Sequence, residues 1–522
     1  MKKSDLLKLI ITQSLSFATF SAVAIASTSC DSKKEEIIHV ESIDLDKTGT
    51  LMYVGDTEVL VPTIYPTGAD ESVEWTSSNE NVATIDRNGK ITAVSAGHAK
   101  ITVTSIDNSL AFDTCDVTVT GDSQYVVINA DADSTLTLNN VNGNNPNLCY
   151  SFDSINWNIY SDQISISTGQ SLYLKGNNPK CWSESDTKYS NFVITGDVSI
   201  SGSVMGLLDN GTKSKYYIPS NYCFNKLFAN SKGITGIYNK FLPATILTDY
   251  CYHYMFYGCT SLKNAPELPA TTLTTNCYSF MFDGCSDLTV CPKLLSRNLA
   301  DECYLYMFAN CKNLITVPNG LQALNLKYGC YTGMFQNCSS LTITPDLPAK
   351  ELSSSCYKYM FSGCTSLTEI STLPAIALAT DCCSFMFDGC VSLKSAPDLL
   401  AKTLVTNCYY GMFNGCTSLT KAPKLPATTL AIDCYSFMFD GCTSLTKAPD
   451  LLAKTLAYNC YSNMFFHCTS LSEIKLYYEG AYDSNYFNNW VQDGATTGIF
   501  YYRGNQSAQD FGFPNGWIKE NF

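Results

Sequence analysis

A Met-Phe pair recurs through the second half of the chain at an almost constant spacing. Nine such pairs occur between Met255 and Met464, each 26 or 27 residues after the one before, and a degenerate copy at residues 223–228 precedes them. A unit this short cannot bury its apolar side chains alone, so successive units must stack on one another. The repeat therefore predicts a solenoid over residues 221–475 of the 522-residue chain, closed by a C-terminal cap over residues 476–522.

Each unit carries two signals that are typical of helix ends. The residue five positions before Met is mostly polar, as at Asn276 and Asp433, and Gly or Asn stands three positions after Met, as at Gly284. Polar residues of this kind cap helix starts, and glycine or asparagine adopts the left-handed conformation that ends a helix. We therefore expect a two-turn helix around each Met-Phe pair. A proline such as Pro266 limits the extended segment that follows to a parallel strand of about three residues.

Residues 251–270 read Cys-Tyr-His-Tyr-Met-Phe-Tyr-Gly-Cys-Thr-Ser-Leu-Lys-Asn-Ala-Pro-Glu-Leu-Pro-Ala, and the same framework returns in the other units. This framework resembles the repeats of the BspA-like leucine-rich-repeat surface proteins of bacteria. The resemblance implies a leucine-rich-repeat solenoid in a protein that attaches to host matrix proteins or to other cells. In the last unit His467 replaces the glycine and Lys475 the proline, which we interpret as an adaptation to the cap.

Residues 39–120 alternate apolar and polar side chains between turn residues at about ten-residue spacing, which indicates the short strands of a β-sandwich. The order of motifs such as Trp75-Thr76-Ser77-Ser78-Asn79 and Val82-Ala83-Thr84-Ile85-Asp86 resembles the bacterial Ig-like group 2 domains. This resemblance implies a spacer or adhesion module. Residues 121–220 alternate without those motifs, and we expect a second β-sandwich there. The predicted architecture is two all-β sandwiches followed by an α/β leucine-rich-repeat solenoid of 26-residue units.

The first 29 residues predict export. Lys2, Lys3 and Lys8 form a basic start, and an apolar stretch follows over residues 9–26. Several polar residues dilute this stretch, so it suits a signal peptide better than a helix that spans a membrane.

Two processing alternatives follow from the end of this segment. Ala24-Ile25-Ala26 suits ordinary signal peptidase, which would release a soluble protein. Ser27-Thr28-Ser29-Cys30 resembles a bacterial lipobox, although Ser27 stands where that motif usually has an aliphatic residue, and implies lipidation at Cys30. Residues 30–38 would then be a polar tether. We predict a protein anchored by this lipid at the bacterial cell surface, with the outer membrane as its expected location; in the alternative, Cys30 is removed with the signal.

The composition and the motifs argue against several classes of function. Lys and Arg number 33 against 47 Asp and Glu, a net charge of −14, which argues against nucleic-acid binding. The four histidines are scattered, and the chain contains no Gly-x-Ser-x-Gly, His-Glu-x-x-His or glycine-rich phosphate loop. Asp283, Asp388 and Asp440 occupy the same position of the repeated unit, so we attribute their recurrence to the structure of the unit and not to acid/base catalysis. We predict a non-catalytic protein with no cofactor and no metal.

Cysteine and tyrosine recur at fixed positions of the unit. The two cysteines that flank each predicted helix, such as Cys251 and Cys259, lie about 12 Å apart along it, too far for a disulfide within one unit. Equivalent cysteines of neighbouring units could form disulfides, but we favour buried free thiols. The repeated tyrosines, beginning at Tyr252, are expected to pack against the next unit; the alternative is a sugar-stacking platform.

The positions after the Ser-Leu leucine vary while the framework stays fixed. A solenoid presents such positions on one continuous face, where side chains are free to bind a partner. Their mixed charge suits a protein partner, and the family resemblance implies a host extracellular-matrix protein, a host cell-surface protein or another cell. The predicted binding residues are Lys263, Glu267, Lys293, Glu369, Asp398, Lys421, Lys424, Lys447 and Asp450.

Two other functions stay open as alternatives. A glycan-capturing accessory lipoprotein would place several tyrosines or Trp490 on one exposed face. A secreted hydrolase, the least supported of the three, would need convergent carboxylates with shifted pKa values in a pocket.

Overall fold

The computed structural model describes seven stretches of the chain. They form two compact domains: the first ends at Thr120, and the second comprises the described residues after it. The described stretches are residues 38–53, 56–95, 97–120, 124–210, 216–238, 240–317 and 321–522. The predictions for the export signal, for Cys30 and for nearly all of the tether lie outside these residues. Within the described stretches, no helix has the length and apolar character that crossing a membrane requires.

The described residues of the first domain form nine short strands in the segment where the alternation of apolar and polar side chains predicts them. They are β1 (Ser42–Leu45), β2 (Gly49–Tyr53), β3 (Thr57–Val59), β4 (Pro62–Tyr65), β5 (Val73–Ser77), β6 (Ala83–Ile85), β7 (Lys90–Ala93), β8 (Gly97–Ser105) and β9 (Phe112–Thr120). The sheets have the orders β2-β9-β8-β5 and β3-β7-β6, and β1 pairs with β4. Alternate side chains from both larger sheets, such as Ile91, Ile101 and Val117, are buried in a common core.

The second domain begins with two sheets whose core continues into the repeats. Its first elements are β10 (Val126–Ala130), β11 (Ser134–Asn140), β12 (Cys149–Ser151), β13 (Asn158–Ile159), β14 (Ile164–Ile166), β15 (Ser171–Lys175), β16 (Ser190–Thr195), β17 (Val198–Gly202), α1 (Gly206–Asp209) and β18 (Ile234–Ile237). The sheet orders are β13-β12-β15-β10-β17-β18 and β14-β11-β16. β18 follows the degenerate copy of the repeat and pairs in parallel with β17. One hydrophobic core therefore extends from Val126 to Trp517.

The residues around each Met-Phe pair do not form the predicted two-turn helix. Every fourth residue has a positive φ, as at Asn276 (53°), Phe280 (55°) and Gly284 (79°), which a right-handed helix does not allow. The left-handed residue predicted three positions after Met is confirmed, whereas the residue five positions before Met is itself left-handed and caps no helix. The α/β part of the predicted fold is wrong, because α-helix occurs in the described residues only at α1 and at α2 (Ser484–Phe487).

Backbone hydrogen bonds explain why this segment is a series of turns. The N–H groups alternate between two kinds of acceptor: Met281 donates to the Tyr278 carbonyl three residues back, at 3.3 Å, and Phe282 donates to the Met307 carbonyl of the next unit, at 2.9 Å. An α-helix would satisfy both N–H groups within itself. Here every second N–H joins two units, so the turn depends on its neighbour and holds the stack together.

The extended segments are shorter than predicted. Single parallel bridges join them to neighbouring units in two rows, so the parallel direction is confirmed and the three-residue length is wrong. The first bridge row includes Val290↔Thr316, Ile343↔Glu369, Ser395↔Lys421 and Lys447↔Glu473, and the second includes Thr272↔Asn298, Glu351↔Ala377, Thr403↔Thr429 and Thr429↔Thr455. Longer strands return from the last unit onward: β19 (Glu473–Leu476) of that unit forms one parallel sheet with β20 (Thr497–Tyr502) and β21 (Gly516–Glu520).

The Met-Phe pairs form the centre of the solenoid. All nine methionines and their phenylalanines are fully buried. The phenylalanine rings stack in a column, with centroids 5.6 Å apart for Phe256 and Phe282 and 5.5 Å apart for Phe282 and Phe308. One continuous column confirms that the units stack as the repeat predicts.

Candidate binding surface

The nine residues predicted to bind a partner are all exposed and lie along the first bridge row or within a few positions of it. Glu369, Lys421 and Lys447 are themselves members of bridges. Since the bridges fix the backbone, these side chains project from defined positions on the solenoid surface. Only the residue type at each position changes from unit to unit. We call the surface formed by the nine residues the bridge face.

Ion pairs connect neighbouring units in the C-terminal half of the bridge face. Lys424 Nζ lies 2.8 Å from Asp398 Oδ2, and Lys447 Nζ lies 2.7 Å from Glu473 Oε1. The ammonium and the backbone N–H of Lys424 both donate to the Asp398 carboxylate and lower its pKa. Such exposed pairs contribute little to stability, so a partner can replace them at small cost. Lys421 has no ion-pair partner among the described residues.

Two clefts open between neighbouring units on the bridge face. The larger has a volume of about 530 Å³ and is lined by residues 420–426, 447–450 and Leu452; we call it the lysine cleft. The second cleft has a volume of about 440 Å³ and is lined by Ile370, residues 372–374 and 395–398, and Leu400. Both volumes lie in the range of ligand sites.

Sequence reasoning missed the floor of these clefts. Prolines at the fixed position after the bridge were predicted only to limit a strand, whereas Pro423 and Pro449 are buried in the lysine cleft. Leu400 occupies a position where other units have proline and is 49% exposed beside the second cleft. The available signal was the alternation of Leu-Pro-Ala and Leu-Leu-Ala among the units.

The recurring tyrosines pack inside the solenoid, which confirms the packing prediction. Tyr252 and Tyr278 are buried, and their ring centroids stack 5.8 Å apart. Burial raises the pKa of both hydroxyls, and neither hydroxyl has a hydrogen-bond partner among the described residues. Trp490 is also buried, and its indole N–H donates to the Phe511 carbonyl at 2.8 Å. An exposed sugar platform of these tyrosines or of Trp490 is therefore wrong.

A second aromatic column, which sequence reasoning missed, lies nearer the surface. The residue before Met is aromatic in six of the nine units, and these rings stack, with centroids 4.6 Å apart for Tyr254 and Phe280 and 5.2 Å apart for Phe280 and Tyr306. The ring of the next unit covers one face of Tyr254, Phe280 and Tyr359, whereas Gly333 and Gly411 interrupt the column after Tyr306 and Phe385. The signal was an aromatic residue or a glycine directly before most of the methionines.

The cysteines of the described residues are free thiols. Cys259 and Cys277 represent the two fixed positions of the unit; both are fully buried, and burial raises the pKa of each thiol to about 12. Thiols that ionise so poorly are inert as nucleophiles at neutral pH.

The recurring aspartates are half-buried on the turns. The side-chain amide of Asn310 donates to Asp283 Oδ1 and that of Asn414 to Asp388 Oδ1, each at 2.8 Å, while desolvation raises the pKa of both carboxyls. These contacts link one unit to the next and support the structural explanation. In the parts of the chain that the structure describes, no group of three His, Cys, Asp or Glu side chains is arranged to hold a metal.

Stacked units with a repeated framework and a variable face define a leucine-rich-repeat protein. The family model of the BspA type leucine rich repeat region matches in six copies, over residues 225–344, 304–401, 331–462 and 402–490. These matches cover about half of the chain, which therefore belongs to the BspA-type leucine-rich-repeat family. The model of the bacterial Ig-like domain (group 2) matches residues 39–114 and confirms the Ig-like prediction.

Curated relatives share short stretches with the chain. An uncharacterized protein of Clostridium acetobutylicum is 39% identical over 90 residues, which are 16% of this chain and 23% of the relative. A 3-O-alpha-D-galactosyl-alpha-L-arabinofuranosidase of Bifidobacterium longum subsp. longum is 36% identical over 105 residues, 20% of this chain and 9% of the enzyme. A lacto-N-biosidase of Bifidobacterium bifidum is 44% identical over 70 residues, 13% of this chain and 6% of the enzyme. The chain spans less than a quarter of each relative, so these matches establish no catalysis.

Among solved structures, the complex of TLR13 with ssRNA13 superimposes with a TM-score of 0.19 at 13% identity, covering 59% of this chain and 50% of that one. A superposition with so low a score supports no statement about fold or function.

Proposed function

We propose that this chain is a non-catalytic bacterial surface protein that binds protein partners through the bridge face. The observation that carries the proposal is the face itself, on which exposed side chains of varied chemistry project from units that are otherwise nearly identical. The Ig-like and leucine-rich-repeat families are typically non-catalytic modules, which is consistent with this role.

The partner in this proposal is a host extracellular-matrix protein, a host cell-surface protein or another cell. The bridge face combines apolar clefts with charged residues around them, the composition of protein interfaces that have an apolar centre and a polar rim. Both clefts lie in the C-terminal half of the solenoid, where Lys421, Lys424 and Lys447 are concentrated.

The test is a panel of immobilised extracellular-matrix proteins with a glycan array beside it. We expect the full chain to bind at least one protein of the panel. The triple change of Lys421, Lys424 and Lys447 to glutamine should weaken that binding by about tenfold or more, because charged residues at an interface contribute through complementarity with the partner.

A matched control changes three other exposed lysines, which belong to alternate units and lie beside the second bridge row. These residues are Lys350, Lys402 and Lys454. The control should bind normally, and circular dichroism should show that both variants are folded. Equal loss of binding in the two variants, or binding to glycans without binding to any protein, would overturn the proposed function.

The lipid anchor is a separate part of the proposal and has its own test. Cys30→Ala is expected to move the protein from the membrane fraction to the medium, because no acyl chain would remain to hold it. Retention of the variant in the membrane fraction would contradict the anchor and leave the bridge-face proposal intact.

A further inference from the structure

The first domain exposes a group of apolar side chains at the end where its described residues begin. Leu110 is 85% exposed and Ile106 is 67% exposed, both in the turn between β8 and β9, while Ile38 is 46% and Tyr65 is 45% exposed. Scattered apolar residues are normal on a protein surface, whereas a group of them on one patch marks an interaction site. We call these four residues the entry patch.

Hydrogen bonds hold the turn between β8 and β9 against the start of the domain. The side-chain amide of Asn108 donates to the Val40 carbonyl, and the Val40 N–H donates to the Asp107 carboxylate, each at 2.8 Å. These bonds lie within the turn that carries Ile106 and Leu110. The two most exposed members of the entry patch are therefore fixed beside the first described residues.

The other two members of the entry patch lie at the same end. The N–H of Glu41 donates to the Tyr65 carbonyl at 2.8 Å, and a Cβ atom at Gly68 would lie 3.5 Å from Ile38 Cδ1. Since β1 begins and β4 ends here, Ile38 and Tyr65 belong to the end of the domain that the β8–β9 turn closes.

The chain enters the first domain at the entry patch and leaves it at the opposite end. β9 begins at Phe112, directly after the β8–β9 turn, and ends at Thr120. A strand of that length places Thr120 about 27 Å from Phe112. The entry patch therefore belongs to the end that is attached to the residues before Ile38.

The proposed lipid at Cys30 brings this end close to a membrane. Eight residue steps separate Cys30 from Ile38. Even a fully extended chain of this length spans at most about 29 Å, so the entry patch is the part of the domain nearest to the anchor. Because the acyl chains already confine the domain, a contact of the entry patch does not have to hold the protein by itself.

The chemistry of the entry patch suits a neutral lipid surface. Isoleucine and leucine side chains gain free energy when they leave water, and the amphipathic ring of tyrosine favours the boundary between membrane and water. The charged side chains around the patch include the exposed Glu41, Asp70 and Glu71. Carboxylates are repelled by the negative potential of anionic lipids, so neutral phospholipid is the better partner.

We infer that the entry patch binds a neutral phospholipid surface beside the lipid anchor. Ile106 and Leu110 enter the apolar layer, and Tyr65 lies at the level of the headgroups. This inference rests on the anchor at Cys30 in the proposed function, and it adds a second, apolar contact between the same chain and the same membrane.

Photolabelling from the membrane tests the inference. The full lipidated chain is reconstituted into phosphatidylcholine vesicles in which one acyl chain carries a photoactivatable group, and peptide mass spectrometry locates the label. We expect the label on residues 105–112 and not on residues 78–81 at the opposite end, and less of it when phosphatidylglycerol is added. The double change Ile106→Ser and Leu110→Ser should reduce labelling of the first domain by about fivefold or more.

The opposite end of the domain offers a matched control. Val61 and Val94 lie there and are 55% and 45% exposed. The double change Val61→Ser and Val94→Ser should leave the labelling unchanged. Urea unfolding shows whether the variants are folded, and if one is not, the distribution of the label along the native chain decides.

Flotation of the same vesicles separates this inference from the anchor. A native chain that does not float with the vesicles overturns both. A chain that floats without label on residues 105–112, with equal label at the two ends of the domain, or with more label on phosphatidylglycerol overturns the inference and leaves the anchor intact. The bridge face takes no part in this experiment, so its own test stands or fails separately.

Discussion

The thiol of Cys285 donates a hydrogen bond to the main-chain carbonyl of Phe256, one unit earlier, with 3.2 Å between sulfur and oxygen. The same carbonyl accepts the N–H of Cys259 at 3.1 Å, so the thiol uses its second lone pair. Equivalent bonds join Cys259–Phe228, Cys311–Phe282, Cys338–Phe308, Cys364–Phe335, Cys390–Phe361, Cys416–Phe387, Cys442–Phe413 and Cys468–Phe439. Cysteine suits this position because it is small, tolerates full burial and still carries a donor.

Removing one of these thiols should destabilise the solenoid. Cys364 is fully buried and its sulfur lies 3.1 Å from the Phe335 carbonyl. Cys364→Ala leaves a small cavity and removes the hydrogen bond, and we expect a loss of about 1–3 kcal/mol in the free energy of unfolding. Urea denaturation measures it, with Cys149→Ala, at a half-buried site, as the control that should lose less. An unchanged midpoint for Cys364→Ala would contradict the role given to the thiol.

Burial also predicts which cysteines react. Of the described cysteines, Cys149 and Cys181 alone are not buried. Iodoacetamide at pH 8 should therefore label Cys149 first and Cys181 more slowly, because partial burial raises the pKa of the Cys181 thiol. The repeat cysteines should be labelled only after denaturation, because a buried thiol is neither accessible nor ionised. Peptide mass spectrometry after timed labelling provides the measurement. Early labelling of a repeat cysteine such as Cys259 would show that the solenoid opens locally.

The solenoid and its variable face could be predicted from the sequence, but the conformation of the unit could not. Asn276 and Gly284 fit the two ends of a helix, and they fit equally well a turn in which both residues are left-handed. The choice depends on the N–H of residues such as Phe282, which finds its acceptor in Met307, 25 residues ahead. A helix is stabilised by local bonds, whereas this turn is stabilised by its neighbour, and local signals cannot distinguish the two.

The dependence on contacts between neighbouring units also explains which parts of the binding surface could be predicted from the sequence. Lys421 and Lys447 could be assigned to an exposed face because the positions they occupy vary among the units. The depth of the clefts depends on how Pro423 of one unit and Pro449 of the next lie against each other. That relationship belongs to two units together, and no single unit contains it.

Gly411, directly before Met412, and Gly389, three positions after Met386, together separate backbone strain from steric contact. At Gly389 φ is 68°, and a Cβ atom would meet only the Gly363 backbone at 3.8 Å, an ordinary contact. At Gly411 φ is 58°, and a Cβ atom would lie 2.5 Å from the Phe385 ring. Gly389→Ala should therefore cost about 1–2 kcal/mol through the left-handed backbone alone.

Gly411→Ala should cost about 1–3 kcal/mol more than Gly389→Ala, because Phe385 must move as well. Gly389→Asn should cost less than Gly389→Ala, since asparagine tolerates the left-handed region. Thermal and urea unfolding of the three variants give the comparison. Equal losses at Gly389 and Gly411 would show that the aromatic column adjusts without cost.

A buried histidine makes the first repeats sensitive to acid. His253 Nδ1 lies 2.5 Å from Ser279 Oγ, and burial lowers the pKa of the imidazole to about 4. Two charged groups face it: Asp186, whose carboxylate lies 4.0 Å from Nε2 and acts to raise the pKa, and Lys226, which acts to lower it. Because the folded pKa lies below the unfolded value of 6.5, the unfolded state binds more protons as the pH falls through this range.

The contribution of His253 to stability is therefore complete above pH 6.5 and is lost as the pH falls toward 4, by about 2 kcal/mol between pH 7.5 and pH 5. The half-buried carboxyls with raised pKa values, such as Asp283, act in the opposite sense, since their native state binds protons more readily. We therefore compare the native chain with His253→Asn, in which the carboxyls are the same and only the imidazole is missing. Urea unfolding at both pH values should show a larger acid loss for the native chain, and an identical loss in the two proteins would show that His253 is protonated without cost in the folded state.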